Sequence, residues 1–396
     1  MSDPPTHHSA DYRLAPAMIS YRDGILRADN FDDLYFSADN GLDESQHVFI
    51  DGNHIADRLC DAPHFTIAET GFGTGLNFLV VMKLLEDMMA KQPILPQIDY
   101  ISIEARPLPF DMIAKSHQAF PAIKKQSKKL IAALPPYWPG LHRCNFLGGK
   151  LRLHLIYGDA NDALANANFI ADAWFLDGFT PAKNPELWSR DLLSAIGRLT
   201  RAGGSFATFT AAGAVRRGLA DAGFQVEKRQ GFGRKRDMLI GCKPLKGRRA
   251  SSKSCTDRGH PPSFGTDRKI AIIGGGIAGA SLAAGLILRG VRPHIIEAGG
   301  RLAVASSGNR LALQFSRLSV DHNISSRMSA DCLSYAASKS DLADAVISKK
   351  VISLDWPDRE AVRQAKFRTQ FWPADLMQFI DAGAASDYAG IELPIG

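Results

Sequence analysis

Two glycine-rich turns of different pattern, roughly 200 residues apart, constrain this chain more than any other feature: Glu69-Thr-Gly71-Phe-Gly73-Thr-Gly75 and Gly274-Gly-Gly276-Ile-Ala-Gly279. Each follows an apolar β-like run and opens a helical one. Backbone without a Cβ can turn tightly there and come close to a ligand. The pattern predicts two nucleotide-binding units rather than one.

Composition agrees with more than one unit. A chain of 396 residues is long for a single core, and 45% hydrophobic with 22% charged residues describes an ordinary globular protein. The uncharged run Ile270 to Leu288 is long enough to suggest a membrane span, but its glycines at fingerprint spacing read as strand, turn and helix. No membrane association is expected. The start, Met-Ser-Asp-Pro-Pro, lacks the charged and apolar regions of a secretion signal, which makes the cytoplasm the expected location. Cys60, Cys144, Cys242, Cys255 and Cys332 are odd in number and widely spaced, so neither a disulfide framework nor a metal site is expected.

Lys and Arg exceed Asp and Glu by 6, much of it in Lys124-Lys125-Gln-Ser-Lys128-Lys129, Arg234-Lys235-Arg236 and Lys246-Gly-Arg248-Arg249. Such clusters suit a polyanion such as RNA, although each alone also reads as solvated surface charge.

Residues 1–60 read as an irregular or strand-rich approach, with aromatics in Phe31-Asp-Asp-Leu-Tyr-Phe36 and Val48-Phe-Ile50. Strands are then predicted at Phe65 to Ala68, Ile98 to Ile103, Leu151 to Tyr157, Ala173 to Leu176 and Ser205 to Thr210. Phe224 to Lys228 and Met238 to Gly241 form a closing pair, and a helix runs from Leu76 to Met89. This β-α rhythm implies an α/β fold with a mainly parallel sheet of the Rossmann type. Residues 1–242 form the first domain. Residues 243–267, basic and rich in Ser, Gly and Pro, form a flexible linker. Residues 268–396 begin a second α/β unit with strands to Ile273 and Ile296, and with about 130 residues it is expected to be truncated.

Acidic residues end successive strands of the first domain: Glu69, Glu104, Asp159 and Asp177. In a parallel sheet these ends border the ligand crevice. Any one of the four also reads as a helix cap; four behind a G-x-G-x-G turn read as S-adenosylmethionine ligands. Gly71, Gly73 and Gly75 would pass the methionine portion, Glu104 would take the ribose hydroxyls and Asp159 the adenine amino group.

The stretch Trp174-Phe-Leu-Asp177-Gly-Phe179-Thr-Pro181-Ala-Lys183-Asn184-Pro-Glu-Leu-Trp188 is more specific. With Asp33-Leu-Tyr35-Phe36-Ser37, Val48-Phe-Ile-Asp-Gly52-Asn53, Glu69 to Asn77 and Gly231-Phe-Gly233-Arg234-Lys235-Arg236-Asp-Met238, it resembles the bacterial bifunctional tRNA 5-methylaminomethyl-2-thiouridine biosynthesis family. The resemblance covers the first domain. It implies methyl transfer from S-adenosylmethionine to the amine of 5-aminomethyluridine at the tRNA wobble position, in the anticodon. An ammonium has no lone pair for attack, so the site must bind or generate the neutral amine. Asp177 is the candidate catalytic residue, orienting the amine and taking its proton. Phe179 and Pro181 would flank a base splayed from its stack, and Lys183, Arg234, Lys235 and Arg236 would meet the RNA. Core packing is the competing reading for Phe179 and Trp188.

In the second unit Gly274, Gly276 and Gly279 follow a strand, and Glu297 ends the next one about 20 residues on, as a dinucleotide site requires. An acid there takes ribose hydroxyls and disfavours a 2′-phosphate. FAD, in a unit similar to D-amino acid oxidase, is implied by the resemblance, in which the second half removes the carboxymethyl group of 5-carboxymethylaminomethyluridine. Ser306-Ser-Gly308-Asn309-Arg310 matches that pattern, and Leu311-Ala-Leu-Gln-Phe315 departs from it. Two other readings remain open on the sequence: a small-molecule amine N-methyltransferase, and a non-catalytic nucleotide- or tRNA-binding module. Oligomeric state is not legible.

Overall fold

The computed structural model describes residues 12–22, 25–36, 40–60, 63–91, 96–233, 236–245, 269–338, 346–348, 350–354 and 358–393. Arg234, Lys235, Cys255, the cluster 246–249 and most of the expected linker lie outside the described residues.

The chain opens with β1 (Ile19–Arg22), β2 (Ile25–Ala28) and β3 (Asp33–Leu34), an antiparallel sheet in that order. The aromatic run at Val48-Phe-Ile50 is then helical rather than extended. It lies in a π-helical turn, Gln46–Asp51, in which Val48, Phe49 and Ile50 are all buried. Three consecutive buried positions suit a turn sunk into a core, not a strand whose side chains alternate between faces.

The main sheet has eight strands: β4 (His64–Glu69), β5 (Gln97–Glu104), β6 (Gly140–Phe146), β7 (Leu151–Tyr157), β8 (Ala171–Phe175), β9 (Thr200–Thr208), β10 (Gln225–Gln230) and β11 (Asp237–Cys242). Their spatial order is β10-β11-β9-β8-β4-β5-β7-β6. β4 pairs in parallel with both β5 and β8, β5 with β7, and β8 with β9, whereas β11 runs antiparallel between β9 and β10. This is the mixed, mainly parallel α/β sheet expected from the β-α rhythm. The strand order reverses between β4 and β8, which opens a crevice at their C-terminal ends.

Apolar burial fixes the layers. The helix Leu76–Met89 is buried along most of its length, with Phe78 edge-on to Tyr100 and to Phe146, each at 5.2 Å between ring centroids. Trp174, Leu176, Phe206 and Leu239 form a second cluster with Leu164, Leu193, Ile196 and Leu219 from three helices. Each such fully buried side chain stabilises the fold by about 2–3 kcal/mol.

By compactness, residues 16–134 with 143–310 make one unit, and residues 1–15, 135–142 and 311–396 make another. This cuts the chain differently from a division at 242 and 268. The smaller unit has its own aromatic core of Tyr12, Trp138, Phe367 and Trp372, the last two stacked at 5.2 Å. In the larger one β12 (Ala271–Ile273) and β13 (His294–Ile296) pair in parallel, and the helix Ile277–Ile287 follows the second glycine turn. Among the described residues no helix is long and apolar enough to cross a membrane, and no group of three or more His, Cys, Asp or Glu side chains is placed to hold a metal ion. Cys60, Cys144, Cys242 and Cys332 form no disulfide.

Candidate active site

A cavity of about 520 Å³ lies in the larger unit, where the loops after β4, β5, β7 and β8 converge. Its floor is the first glycine turn. Gly75 caps the following helix at φ 76°, and a Cβ there would stand 2.8 Å from the Phe72 ring and 2.9 Å from Leu130. Gly73 also has positive φ, 52°, and its N–H donates to Glu104 Oε2 at 2.8 Å. A Cβ on Gly71 would lie 3.3 Å from the Asp177 carbonyl oxygen. Gly71 and Gly73 line the cavity, whereas Gly75 shapes it from behind.

The acids expected at the strand ends separate into two groups. Glu104, Asp159 and Asp177 line the cavity together. Glu104 accepts a second backbone N–H from Arg106, at 2.8 Å; burial pushes its carboxyl up, and these two donors oppose the rise. Asp159 caps the helix Ala160–Ala165 through Oδ1, which accepts from Asn161 N at 2.8 Å and Asp162 N at 3.2 Å. The cap and the cavity-lining position therefore coincide in one residue.

Glu69 is the correction. It is 1% exposed and lies beneath the floor instead of on the wall. Its Oε1 accepts from Asn77 Nδ2 at 2.8 Å and its Oε2 from Ser102 Oγ at 2.6 Å. Burial, reinforced by the nearby Asp177, pushes its carboxyl up to about 8, so it holds a proton at neutral pH.

Asp177 is held at three points. Asn77 Nδ2 donates to Oδ2 at 2.6 Å, the Gly178 N–H donates to Oδ1 at 2.8 Å, and Thr70 Oγ1 donates to the backbone carbonyl at 2.6 Å. Asn77, Ser102 and Thr70 escaped the sequence reading. The usable signals were Asn77 in the first turn of the helix after the glycines, and Ser102 standing beside Glu69 once β4 and β5 pair in register.

Phe179 stacks on Phe31 at 4.6 Å and meets Tyr35 edge-on at 5.3 Å, and all three rings line the cavity. The Arg106 guanidinium lies over Phe31 at 5.5 Å. The segment after Asp177 is tied down by Trp188 Nε1–H to the Phe179 carbonyl at 2.9 Å and by Thr180 N–H to Asp33 Oδ2 at 3.0 Å. Pro181, Lys183 and Arg236 are not on the cavity wall. Lys183 donates to the Asp32 carbonyl and pairs with its carboxylate at 3.6 Å. Arg236 is exposed, and its carbonyl accepts the Gly231 N–H.

The second glycine turn has the dinucleotide form. A Cβ on Gly279 would stand 2.0 Å from the Gly274 carbonyl, so glycine is required for the helix to approach the strand. Gly276 caps that helix, and Glu297 accepts from Gly275 N–H at 2.6 Å and Gly299 N–H at 3.2 Å. These residues fit the adenosine half of a dinucleotide.

Residues 121–244 match the model of a family described as S-adenosyl-L-methionine-dependent methyltransferase. Over 387 residues, 96% of its length, the chain is 38% identical to the tRNA 5-methylaminomethyl-2-thiouridine biosynthesis bifunctional protein MnmC of Nitrosospira multiformis, and it spans 60% of that relative. Similar solved structures include MnmC2 from Aquifex aeolicus, at 25% identity over 60% of this chain and 74% of that one, with a TM-score of 0.46. A SAM-dependent O-methyltransferase from Thermotoga maritima matches at 16% identity over 51% and 66% of the two chains, with a TM-score of 0.28. The protein has a Rossmann-like methyltransferase fold and is similar, over nearly its whole length, to part of a bifunctional tRNA 5-methylaminomethyl-2-thiouridine biosynthesis protein.

Proposed function

We propose that the cavity binds S-adenosyl-L-methionine and methylates the exocyclic amine of 5-aminomethyl-(2-thio)uridine at the wobble position of tRNA, giving 5-methylaminomethyl-(2-thio)uridine. The charge of the wall carries this reading. Asp33, Glu44, Glu104, Asp159, Asp177 and Glu186 face one cation, Arg106, among the described lining residues. An acid-lined site favours a sulfonium cofactor and an ammonium-bearing acceptor over neutral or anionic ligands.

The chemistry needs little beyond positioning. The neutral amine nitrogen attacks the methyl carbon, the sulfur–carbon bond breaks with its electrons going to sulfur, and the secondary ammonium loses a proton. Asp177, anchored by Asn77, Gly178 and Thr70, orients the amine and accepts a proton from it. Gly71 and Gly73 with Glu104 and Asp159 hold the cofactor, while Gly75 shapes the turn from behind and Glu69 supports them from below. The Phe31–Phe179 stack with Tyr35 offers an aromatic face to an unstacked base. Pro181, Lys183, Arg234, Lys235 and Arg236 are proposed to contact the RNA around it, in the anticodon region.

In this reading residues 1–242 are the methyltransferase domain and 243–267 a linker. Residues 268–396 are part of a flavin unit in which Gly274, Gly276, Gly279 and Glu297 hold the adenosine end of FAD. When bound, FAD would supply amine oxidation for removal of a carboxymethyl group. A protein acting on tRNA in this way would work in the cytoplasm.

Calorimetry with S-adenosylmethionine and nucleoside mass spectrometry of tRNA from cells lacking and regaining the protein test the reading. Accumulated 5-aminomethyluridine that disappears on complementation supports it. No cofactor uptake, or methylation of a free amine with no dependence on salt, overturns it.

A further inference from the structure

The Asn77 amide that anchors Asp177 has a second branch beneath the cavity. Asn77 is 5% exposed, in the first turn of the helix that follows the glycine loop. Its side-chain nitrogen lies 2.6 Å from Asp177 Oδ2 and 2.8 Å from Glu69 Oε1. A carboxamide NH₂ has two hydrogens, so it can serve both carboxyl groups at once. Glu69 ends β4 and Asp177 lies just after β8, and the register of the two strands sets Glu69 beside Phe175, two residues before Asp177. The amide of Asn77 bridges these strand ends.

Building on the methyl-transfer reading, we infer that Asn77 is a positioning residue: one amide hydrogen fixes the Asp177 carboxylate toward the cavity, and the other binds Glu69 beneath it, so that the negative charge of the pair rests on Asp177. Two carboxyl groups that share one donor, one of them fully buried, disfavour each other's ionised form. Glu69 is the deeper, and a neutral hydroxyl, Ser102 Oγ, donates to it as well. Asp177 opens on the cavity and also has the Gly178 N–H. A neutral Glu69 leaves Asp177 free of like-charge repulsion from below, and the Asn77 hydrogen bond favours the ionised form of Asp177. The other groups around the pair are Tyr100 beneath it on β5, and Glu44, Glu104, Asp159 and Arg106 on the cavity wall. Burial raises the Tyr100 hydroxyl well above its ordinary value, so it adds no charge.

The test uses the full chain with S-adenosylmethionine and tRNA bearing 5-aminomethyluridine, following kcat against pH in Asn77→Ala, Asn77→Ser, Asn77→Asp and Glu69→Gln. Asn77→Ala is expected to lower kcat by about 10- to 100-fold. It should move the acidic limb of the profile up by about one pH unit and leave the calorimetric Kd for S-adenosylmethionine within about threefold. Asn77→Ser, which keeps a single donor, should recover part of the rate. Asn77→Asp adds a third acid and should move the limb furthest. Glu69→Gln, which replaces a neutral group with a neutral group, should leave the limb in place. Melting curves identify any variant that does not fold, and the remaining variants still decide.

An unmoved limb in Asn77→Ala and Asn77→Asp, or a limb that moves in Glu69→Gln, overturns the inference. If the wild-type chain methylates no such tRNA, the substrate reading fails by itself. Carbon-13 NMR titration of the Asp177 carboxyl, assigned by its loss in Asp177→Asn, then decides the inference. Its midpoint should rise in Asn77→Ala, and an unchanged midpoint sinks it.

Discussion

Glu104 Oε2 accepts the Gly73 N–H at 2.8 Å, so the acid ending β5 also braces the glycine turn that follows β4. One side chain thereby faces the cavity and shapes the turn beneath it. Glu104→Ala should raise the S-adenosylmethionine Kd by about 10- to 100-fold, the range for a hydrogen bond to a charged group. Glu104→Gln should lose nearly as much, because its NH₂ cannot accept the second N–H. Calorimetry reads both values, and an unchanged Kd in Glu104→Ala would remove this residue from the cofactor site.

Asp159 caps a helix and lines the cavity, and substitution separates the cap from the proposed cofactor contact. Asn caps a helix about as well as Asp, so Asp159→Asn should keep the melting temperature while weakening cofactor binding. Asp159→Ala should lose both, with about 1 kcal/mol from the missing cap. A lower melting temperature for Asp159→Asn would refute the separation.

The Phe31–Phe179 pair predicts a change in substrate affinity without one in cofactor affinity. Phe179→Ala should raise the KM for tRNA by about 10- to 100-fold, the equivalent of about 1–3 kcal/mol for one stacked base. The S-adenosylmethionine Kd should stay within about twofold. If both constants rise together, the ring supports the fold and does not receive a base.

Glu69 makes stability fall as pH rises. Burial raises its folded pKa to about 8, above the ordinary carboxylate value, so the folded state binds the extra proton between about pH 4.5 and 8. In that window its contribution falls with pH by on the order of 1 kcal/mol per pH unit. Glu69→Gln should flatten the curve of unfolding free energy there, as measured by urea denaturation at several pH values. A parallel curve in the variant would show that Glu69 is already ionised.

Local pattern carried much of the fold. The runs now seen as β4, β5, β7 and β8 are apolar and end near an acid, which is why their positions and the crevice beside them were legible. β6 was missed because Gly140-Leu-His-Arg-Cys-Asn-Phe146 places His, Arg and Asn among its apolar residues and reads as a loop. Asn77 was missed for a different reason. A polar residue in an apolar helix has no meaning until β4 and β8 are known to be neighbours, and that adjacency joins segments about 100 residues apart. The displacement of Glu69 beneath the floor likewise depends on the pairing of β4 with β5, which brings Ser102 alongside it.

The parallel pairing of β4 with β8 has an evolutionary corollary. In the proposed function the loop after β4 serves the methyl donor and the loop after β8 the acceptor, and the two spring from adjacent rails only about 4.8 Å apart. Their spacing is inherited from the sheet and does not depend on either loop's sequence. A lineage could therefore exchange one nucleophile for another by rewriting the 177–189 segment alone, while the donor grip stays untouched.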